Sequence, residues 1–194
     1  GGGNRNPWCW HSFTLGKVDI IMLDCRYYRD LKKKSMLGSV QKKWLKETLK
    51  NSNAVFKIIA SSVPFSKGIK PGSKDPWDGY PEEREEIFNF IEDENIEGVL
   101  LIAADRHRID LRKTERPNGY DLYEFVSGRL TNKHVHSVVK TDGLVWGYNK
   151  TCGYCLLRFD TRKKTPQIKL EAYDNMGKLL FAQKILASDL KFNE

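Results

Sequence analysis

The sequence lacks any apolar run that approaches the about 20 residues needed for a membrane-spanning helix. Residues 1–7 contain no apolar stretch of the kind that forms the core of a secretory signal peptide. The chain also has no internal repeat and no low-complexity linker. We therefore expect no membrane segment and no targeting signal in these residues, and we expect residues 1–194 to form one domain.

Cysteine is scarce, with four residues in the chain. Cys152 and Cys155 form a C-x-x-C pair, whose spacing is compatible with a zinc knuckle or a redox pair. A zinc site would need the distant Cys9 and Cys25 to converge on this pair. A redox pair should begin a helix, whereas residues 151–159 have the pattern of a strand. We expect all four cysteines to be structural.

Acidic residues are fewer than basic ones, with 25 Asp and Glu against 33 Lys and Arg. The formal net charge is therefore +8 and the pI is about 9.2. This balance favours anionic partners such as phosphate esters, nucleic acids or acidic surfaces. The densest basic runs, residues 32–34 and 162–164, lie beside turn residues, which favours solvated loops. No nucleic-acid-binding motif is present. The hydrophobic fraction of 40% and the charged fraction of 30% are typical of a globular protein.

Strand and helix patterns alternate over residues 9–110. Apolar runs at 18–23, 55–60 and 99–104 predict three strands. Ser39 is a candidate cap for a helix between the first two strands, and Pro81, which is followed by glutamates, predicts the start of a second helix. The order strand, helix, strand, helix, strand predicts a mostly parallel sheet.

Residues 111–188 predict strands without helices. Residues 174–177 form a hairpin turn in which Gly177 can supply a positive φ. The change from α/β to β predicts an α/β sandwich of two sheets that share one core. Strand patterns occur at 120–126, 135–139, 154–160, 168–173 and 179–185.

The third strand runs directly into Asp105 and His107. Residues 99–104 are apolar without alternation, as in a strand covered on both faces, and ligands gather outside the carboxyl ends of such strands. Asp24 and Ser61 follow the other two strands, so a parallel sheet would bring all of these residues to one edge. From these residues alone, a metal site and an ordinary solvated turn both stay open.

Several segments together resemble the alkaline phosphatase D (PhoD)-like metallophosphoesterases, over about residues 9–188. Residues 23–29 resemble the L-D-x-R-x-Y-R motif of that family, and residues 36–45 resemble its L-G-x-x-Q-x-x-W-L helix. Residues 70–84 resemble its D-x-W-D-G-Y-x-x-E-R loop, and residues 104–107 fall where its S-G-D-x-H motif belongs. The combination is specific, although each motif is short.

The resemblance implies the C-terminal half of a calcineurin-like metallophosphatase α/β sandwich, with a βαβαβ part followed by antiparallel strands. It also implies two or more metal ions, drawn from Ca, Fe, Mn and Zn, that cleave phosphate mono- or diesters. Asp105 and His107 would be the catalytic residues, with Asp105 a metal ligand and His107 either a metal ligand or a partner that orients one. Arg106 and Asp78 would bind the phosphate-ester substrate. Trp77 has two interpretations, a lid over the substrate or a packing anchor. Nucleic acid would enter only as a phosphodiester substrate.

Other polar residues also have two interpretations. Asp24 and Arg26 either border the site or form a structural salt bridge. His134 and His136 alternate, which would place both imidazoles on one face of a strand, as a metal pair or at a solvent-facing edge. We expect His11 to be structural.

The family resemblance also implies an N-terminal partner segment. The G-D-x-x-Y and W-D-D-H-D segments, which carry early metal ligands in the family, have no counterpart before residue 9. We therefore expect little activity from this chain alone. The alternatives are a non-catalytic scaffold or a module that binds phosphorylated ligands, suggested by Ala103 and Ala104 in place of Ser-Gly, and a nucleic-acid-binding module that rests on charge alone. The family implies a periplasmic or extracellular location.

Overall fold

The computed structural model describes residues 8–131 and 133–192. Their strands form a seven-stranded sheet in the order β1-β2-β3-β4-β6-β5-β7 and a three-stranded sheet in the order β10-β9-β8. Strands β2, β3, β4 and β6 are mutually parallel, and the remaining pairs are antiparallel. The elements are β1 His11–Leu15, β2 Val18–Met22, α1 Gly38–Lys50, β3 Phe56–Ser61, α2 Pro81–Asp93, β4 Val99–Ala103, β5 Ile109–Thr114, β6 Leu122–Val126, β7 Leu144–Tyr148, β8 Gly153–Asp160, β9 Gln167–Asp174 and β10 Leu179–Leu186.

Both helices form where the sequence predicts them. Helix α2 begins at Pro81, and the glutamates of its first turn complement the positive end of the helix. Helix α1 begins at Gly38, one residue before Ser39, so Ser39 is not its cap. The backbone N–H of Gly38 instead donates to the hydroxyl of Ser35, at 2.9 Å. Neither helix in the described residues is long and apolar enough to span a membrane.

Two layers cover the large sheet. The chain steps in one direction from β2 to β3 to β4, and right-handed crossovers therefore place α1 and α2 on the same face. The small sheet packs against the large one, with Phe159 5.9 Å from Phe56 and Phe181 stacked 4.7 Å from Trp146, measured between ring centroids. Strand β3 is consequently buried along its whole length. The predicted α/β sandwich is confirmed.

Three strand assignments differ from the sequence prediction. Residues 135–139 form an irregular loop, because β5 already pairs with β6 on one side and β7 on the other. Strand β5 is not predicted from the sequence, because the charged residues Asp110 and Arg112 interrupt its apolar pattern. Both are nevertheless buried together with Ile109 and Leu111. Strand β7 is short and half-buried, and Gly147 interrupts its apolar pattern. The predicted hairpin is confirmed, with Gly177 at a φ of 80°.

Candidate metal centre

The carboxyl ends of the parallel strands β2, β3, β4 and β6 lie at one edge of the large sheet. Strand β4 ends at Ala103 and leads to Asp105 and His107. Strand β6 is its neighbour, and the N–H of Ser127, just beyond β6, donates to the carbonyl of Ala103 at 2.8 Å. The loop between β6 and β7, described over residues 127–131 and 133–143, therefore leaves the sheet beside Asp105 and His107, which is where ligands collect in parallel sheets.

The turn after β4 has an unusual backbone. Asp105 has a φ of 71° and His107 a φ of 50°, which is the left-handed region that residues other than glycine rarely adopt. Strained backbone of this kind clusters at functional sites, where the surrounding structure holds it in place. Ala103 and Ala104 are not among the described residues with positive φ. The alanines that replace Ser-Gly are therefore compatible with this turn.

The carboxylate of Asp105 lies between two guanidinium groups. Arg26, from the loop after β2, approaches it at 3.3 Å, and Arg106 lies 3.9 Å away. Arg26 also donates to Asp75 at 2.6 Å, as does Arg29. Burial raises the pKa of Asp75, but the hydrogen bonds from Arg29 and Arg26 outweigh this and lower the pKa to about 2. Arg26 thus joins the carboxyl end of β2 to that of β4.

His107 faces the other way, into a cluster with His134 and His136. One ring nitrogen of each histidine lies within 4.8 Å of those of the other two. The ring centroids are 5.6 Å apart for His107 and His134, 5.5 Å for His107 and His136, and 4.6 Å for His134 and His136. Within residues 8–131 and 133–192, no carboxylate belongs to this group. We call these three residues the imidazole cluster.

Contacts of His107 and His136 bear on which ring nitrogens can bind a metal. The Nδ1–H of His107 donates to the carbonyl oxygen of His134 at 3.1 Å, since a carbonyl can only accept. This leaves Nε2 of neutral His107 with its lone pair. Burial lowers the pKa of His136, and the positive charge of Arg106 lowers it further. The lowered pKa favours the neutral form of His136, which is the form that binds metals.

Side chains from the neighbouring strands fix the loop that carries His134 and His136. Arg112 donates to the carbonyl of Val139 at 2.8 Å and to the hydroxyl of Thr141 at 2.7 Å. The amide of Asn149 donates to the carbonyl of His136 at 3.2 Å. These bonds replace the ladder that a strand would have provided, so the two imidazoles are held by a loop rather than by strand alternation.

The comparisons with known proteins agree with this layout. Residues 3–171 match the family described as PhoD-like phosphatase. The chain belongs to this family. Alkaline phosphatase D of Bacillus subtilis (strain 168) is 30% identical over an alignment that covers 54% of this chain and 23% of the relative.

Two solved structures share the fold. The structure of PhoD superposes with a TM-score of 0.61 and 21% identity, covering 91% of this chain and 43% of the other. GAP50, the anchor in the inner membrane complex of Plasmodium, gives a TM-score of 0.58 and 17% identity, covering 97% of this chain and 56% of the other. At these identities the structural likeness shows the fold alone. The chain spans less than two thirds of the length of each of these three proteins.

The other residues that the PhoD-like motifs single out have structural contacts. Asp78 accepts from the N–H of Gly68 at 2.7 Å and from Arg84 at 3.1 Å, and its role in substrate binding stays a prediction. Trp77 is fully buried, stacks 4.7 Å from Phe65 and is a packing anchor rather than a lid.

The polar residues after β2 and β3 are also held by their own neighbours. Asp24 accepts from the N–H groups of Arg26 and Tyr27, at 2.9 and 3.0 Å, and thereby fixes its turn. Ser61 lies at the predicted edge but is 6% exposed, and its hydroxyl donates to the carbonyl of Val63 at 2.6 Å, so it does not face solvent there. The four cysteines are free thiols, and none of them belongs to a metal-ligand group within the described ranges. Burial raises the pKa of Cys155 to about 12, which makes it unreactive.

Two donor sets at this edge fit different metals. The carboxylate of Asp105 offers oxygen, which Ca²⁺ and other hard cations prefer. The imidazole cluster offers nitrogen, which suits Zn²⁺ and its first-row neighbours. The residues present therefore fit a metal-dependent member of the PhoD-like family, and His134 and His136 add two imidazoles beside Asp105 and His107. The sequence signal for the pair was its His-x-His spacing.

Proposed function

We propose that this chain contributes to the metal-dependent hydrolysis of phosphate mono- or diesters. The observation that carries the proposal is that Asp105 and His107 of a PhoD-like chain follow one buried strand at the edge where four parallel strands end. Metal ions bound there supply polarisation of the phosphoryl group and a lowered pKa for water. Asp105 and His107 would hold two or more such ions, drawn from Ca, Fe, Mn and Zn.

The chain's own residues would hold and orient these groups. The hydrogen bond from His107 to the carbonyl of His134 fixes the imidazole and directs Nε2 away from that carbonyl. Arg26 holds the side chain of Asp105 in place through an ion pair at 3.3 Å until a cation takes over that role. Left-handed φ angles at Asp105 and His107 aim the two side chains in different directions from one short turn.

Arg106 would balance the negative charge of the phosphate ester. Its side chain is 4% exposed, and its Nε and Nη1 atoms have no hydrogen-bond partner within residues 8–131 and 133–192. A buried guanidinium keeps its charge and is weakly screened, so its field reaches an anion at the neighbouring surface. Asp78 would act on the substrate through the loop that it holds to Gly68.

Two-metal hydrolysis needs several ligands around both ions, and Asp105 and His107 supply only two. We therefore expect little turnover from residues 1–194 alone, and self-association through uncovered sheet surface. An N-terminal segment of the same protein would be the partner. A periplasmic or extracellular location is part of the same proposal, because it rests on the family.

The test is an assay of the full reading frame that contains this chain, with p-nitrophenyl phosphate and bis(p-nitrophenyl) phosphate as substrates. We expect turnover that a chelator abolishes and that one of the four metals restores. Asp105→Asn should lower kcat/KM by orders of magnitude with little change in Tm, because it removes ligand charge without removing volume. The control is Asp93→Asn, at an exposed carboxylate at the C-terminal end of α2, which should keep full activity. Unchanged turnover in Asp105→Asn would contradict the assignment of Asp105.

A non-catalytic scaffold is the second candidate. The observation that favours it is the shared fold of GAP50, which is described as an anchor in an inner membrane complex. The same assay separates the two functions. A pure, folded full-length protein that hydrolyses neither ester with any of the four metals would support the scaffold and contradict the phosphoesterase.

A further inference from the structure

The imidazole cluster has the composition of a nitrogen-ligand metal site. Its three members come from two loops that leave neighbouring parallel strands, so residues far apart in sequence converge at one place. Three histidines with an open fourth position form the ligand set of several catalytic zinc sites. Hard cations such as Ca²⁺ prefer oxygen, and the cluster contains no carboxylate within the described ranges.

The spacing needs only a small adjustment to hold an ion. Tetrahedral coordination with Zn–N bonds of about 2.0–2.1 Å separates the ligand nitrogens by about 3.3 Å. The nitrogens here lie within 4.8 Å of one another. Rotations of the imidazoles that close the gap by about 1.5 Å or less would complete the geometry.

The hydrogen bonds around the cluster match those of metal-binding histidines. A ligating histidine usually donates its second ring N–H to a carbonyl or carboxylate, which fixes the tautomer. His107 does this through Nδ1 to the carbonyl of His134 at 3.1 Å. Asn149 and Arg129 hold the same loop by donating to the carbonyls of His136 and Lys133, at 3.2 and 2.9 Å. The loop is thus held near its ligand-binding shape by protein contacts.

The cluster is also accessible. His134 is exposed, and His107 and His136 are partly exposed, so an ion can enter from solvent and keep one coordination position open. None of the three imidazoles belongs to the buried core, so the fold does not depend on their packing. Substitution of these histidines should therefore change metal binding without unfolding the chain.

We propose that His107, His134 and His136 form a binding site for one imidazole-preferring divalent ion of the first transition row, such as Zn²⁺, which this chain holds through its own residues. The site goes beyond the proposed function because it adds His134 and His136 as ligands and needs no substrate. Ester hydrolysis is not its readout, so failure of metal binding and failure of hydrolysis are separate results.

The test is a titration of the chelator-treated, 194-residue chain with Zn²⁺ by isothermal calorimetry, and with Co²⁺ by visible absorption. We expect one Zn²⁺ per chain and no competition from Ca²⁺. His134→Ala and His136→Ala should each weaken Zn²⁺ binding by more than about 100-fold, which exceeds the loss of about 10–100-fold that is typical when a residue only supports a ligand. The matched control is His11→Ala, at an exposed histidine whose ring contacts the carbonyl of Cys9 at 2.9 Å. Its affinity should equal that of the unmodified chain.

Circular dichroism of each variant reports whether the fold is kept. Equal Zn²⁺ affinity in the unmodified chain, His134→Ala and His136→Ala would overturn the site. A thiolate-to-cobalt charge-transfer band would also overturn it, because the ion would then be bound by cysteine. The site would be supported if His134→Ala and His136→Ala fold and bind Co²⁺ and Zn²⁺ more weakly, while His11→Ala binds both ions as tightly as the unmodified chain.

Discussion

Arg108 donates from Nε to both carboxylate oxygens of Asp110, at 3.1 and 3.0 Å, where neither side chain is exposed. Arg112 donates to the same carboxylate at 3.0 Å and reaches the loop between β6 and β7 with its other nitrogens. The buried carboxylate therefore orients the guanidinium that holds the loop of His134 and His136. The side chain of Arg112 thus connects the buried carboxylate of Asp110 to the surface loop that carries His134 and His136.

Asp110→Asn should lower the free energy of unfolding by about 3–5 kcal/mol, because it leaves two buried guanidinium groups without a counter-charge. Asp105→Asn is the matched control, since Asp105 also pairs with arginine but is partly exposed. Its effect should stay below about 1 kcal/mol, as for other pairs at the surface. Urea unfolding of both variants measures the difference. Equal losses in the two variants would contradict a special role for burial.

Trp77 should stabilise the long loop before α2. Its ring is fully buried against Phe65, and its Nε1–H donates to the hydroxyl of Ser61 at 3.1 Å. Trp77→Ala should cost about 3–5 kcal/mol of unfolding free energy through the cavity that it leaves. Trp77→Phe should cost less, since it keeps most of the ring contact but leaves Ser61 without that donor. Trp8→Ala, at a partly exposed tryptophan, serves as the control, and a loss as large as that of Trp77→Ala would refute the anchor.

Asp75 should make stability depend on acid pH. Its pKa of about 2 in the folded state lies below the ordinary value of 3.8, so the native state favours the ionised form. The stabilisation is present above the ordinary pKa and is lost as the pH falls from about 4 toward 2. Unfolding measured against pH should show Asp75→Asn less stable at pH 6, with most of the difference lost by pH 2, where Asp75 of the folded chain is about half protonated. A difference that persists unchanged at pH 2, or an equal effect of Asp142→Asn at pH 6, would contradict this.

Alanine substitutions at Gly98 and Gly72 distinguish the cost of a steric clash from the cost of backbone strain. Both have positive φ, 75° and 74°, but a Cβ at Gly98 would lie 2.1 Å from the carbonyl oxygen of Val55. A Cβ at Gly72 would meet nothing within 4 Å. Gly72→Ala should therefore cost about 1–2 kcal/mol, the price of a left-handed residue, and Gly98→Ala clearly more. Thermal unfolding of the two variants checks the order, and the reverse order would show that the clash is relieved.

The arrangement of strands around the site was largely predictable from sequence. Unbroken apolar runs predict buried parallel strands, and such strands deliver their following residues to one edge, which is how Asp105 and His107 were found. The motifs at residues 23–29, 36–45 and 70–84 pointed to the family that the whole-chain match then showed. Each of these signals depends on residues that are close in sequence, so it can be recognised without the tertiary structure.

The contacts within the site were less predictable. Spacing placed His134 and His136 on a strand, whereas a loop holds them, because Arg112 and Asn149 bond the backbone carbonyls of residues 136 and 139. Strand β5 was overlooked since buried charge breaks the apolar pattern that marks a strand. Its buried carboxylate is tolerated because Asp110 pairs with Arg112 of the same strand and with Arg108, which lies directly before the strand.

The sequence by itself determined the α/β order, the family and the strand end that carries Asp105 and His107, because hydrophobic periodicity and short motifs are properties of neighbouring residues. Only the tertiary structure decided that Asp105 faces Arg26 while His107 faces His134 and His136. Those contacts join residues separated by 79 and 27 positions for the pairs Arg26–Asp105 and His107–His134. The register of parallel strands and the packing of loops set such distances, and no local pattern encodes them.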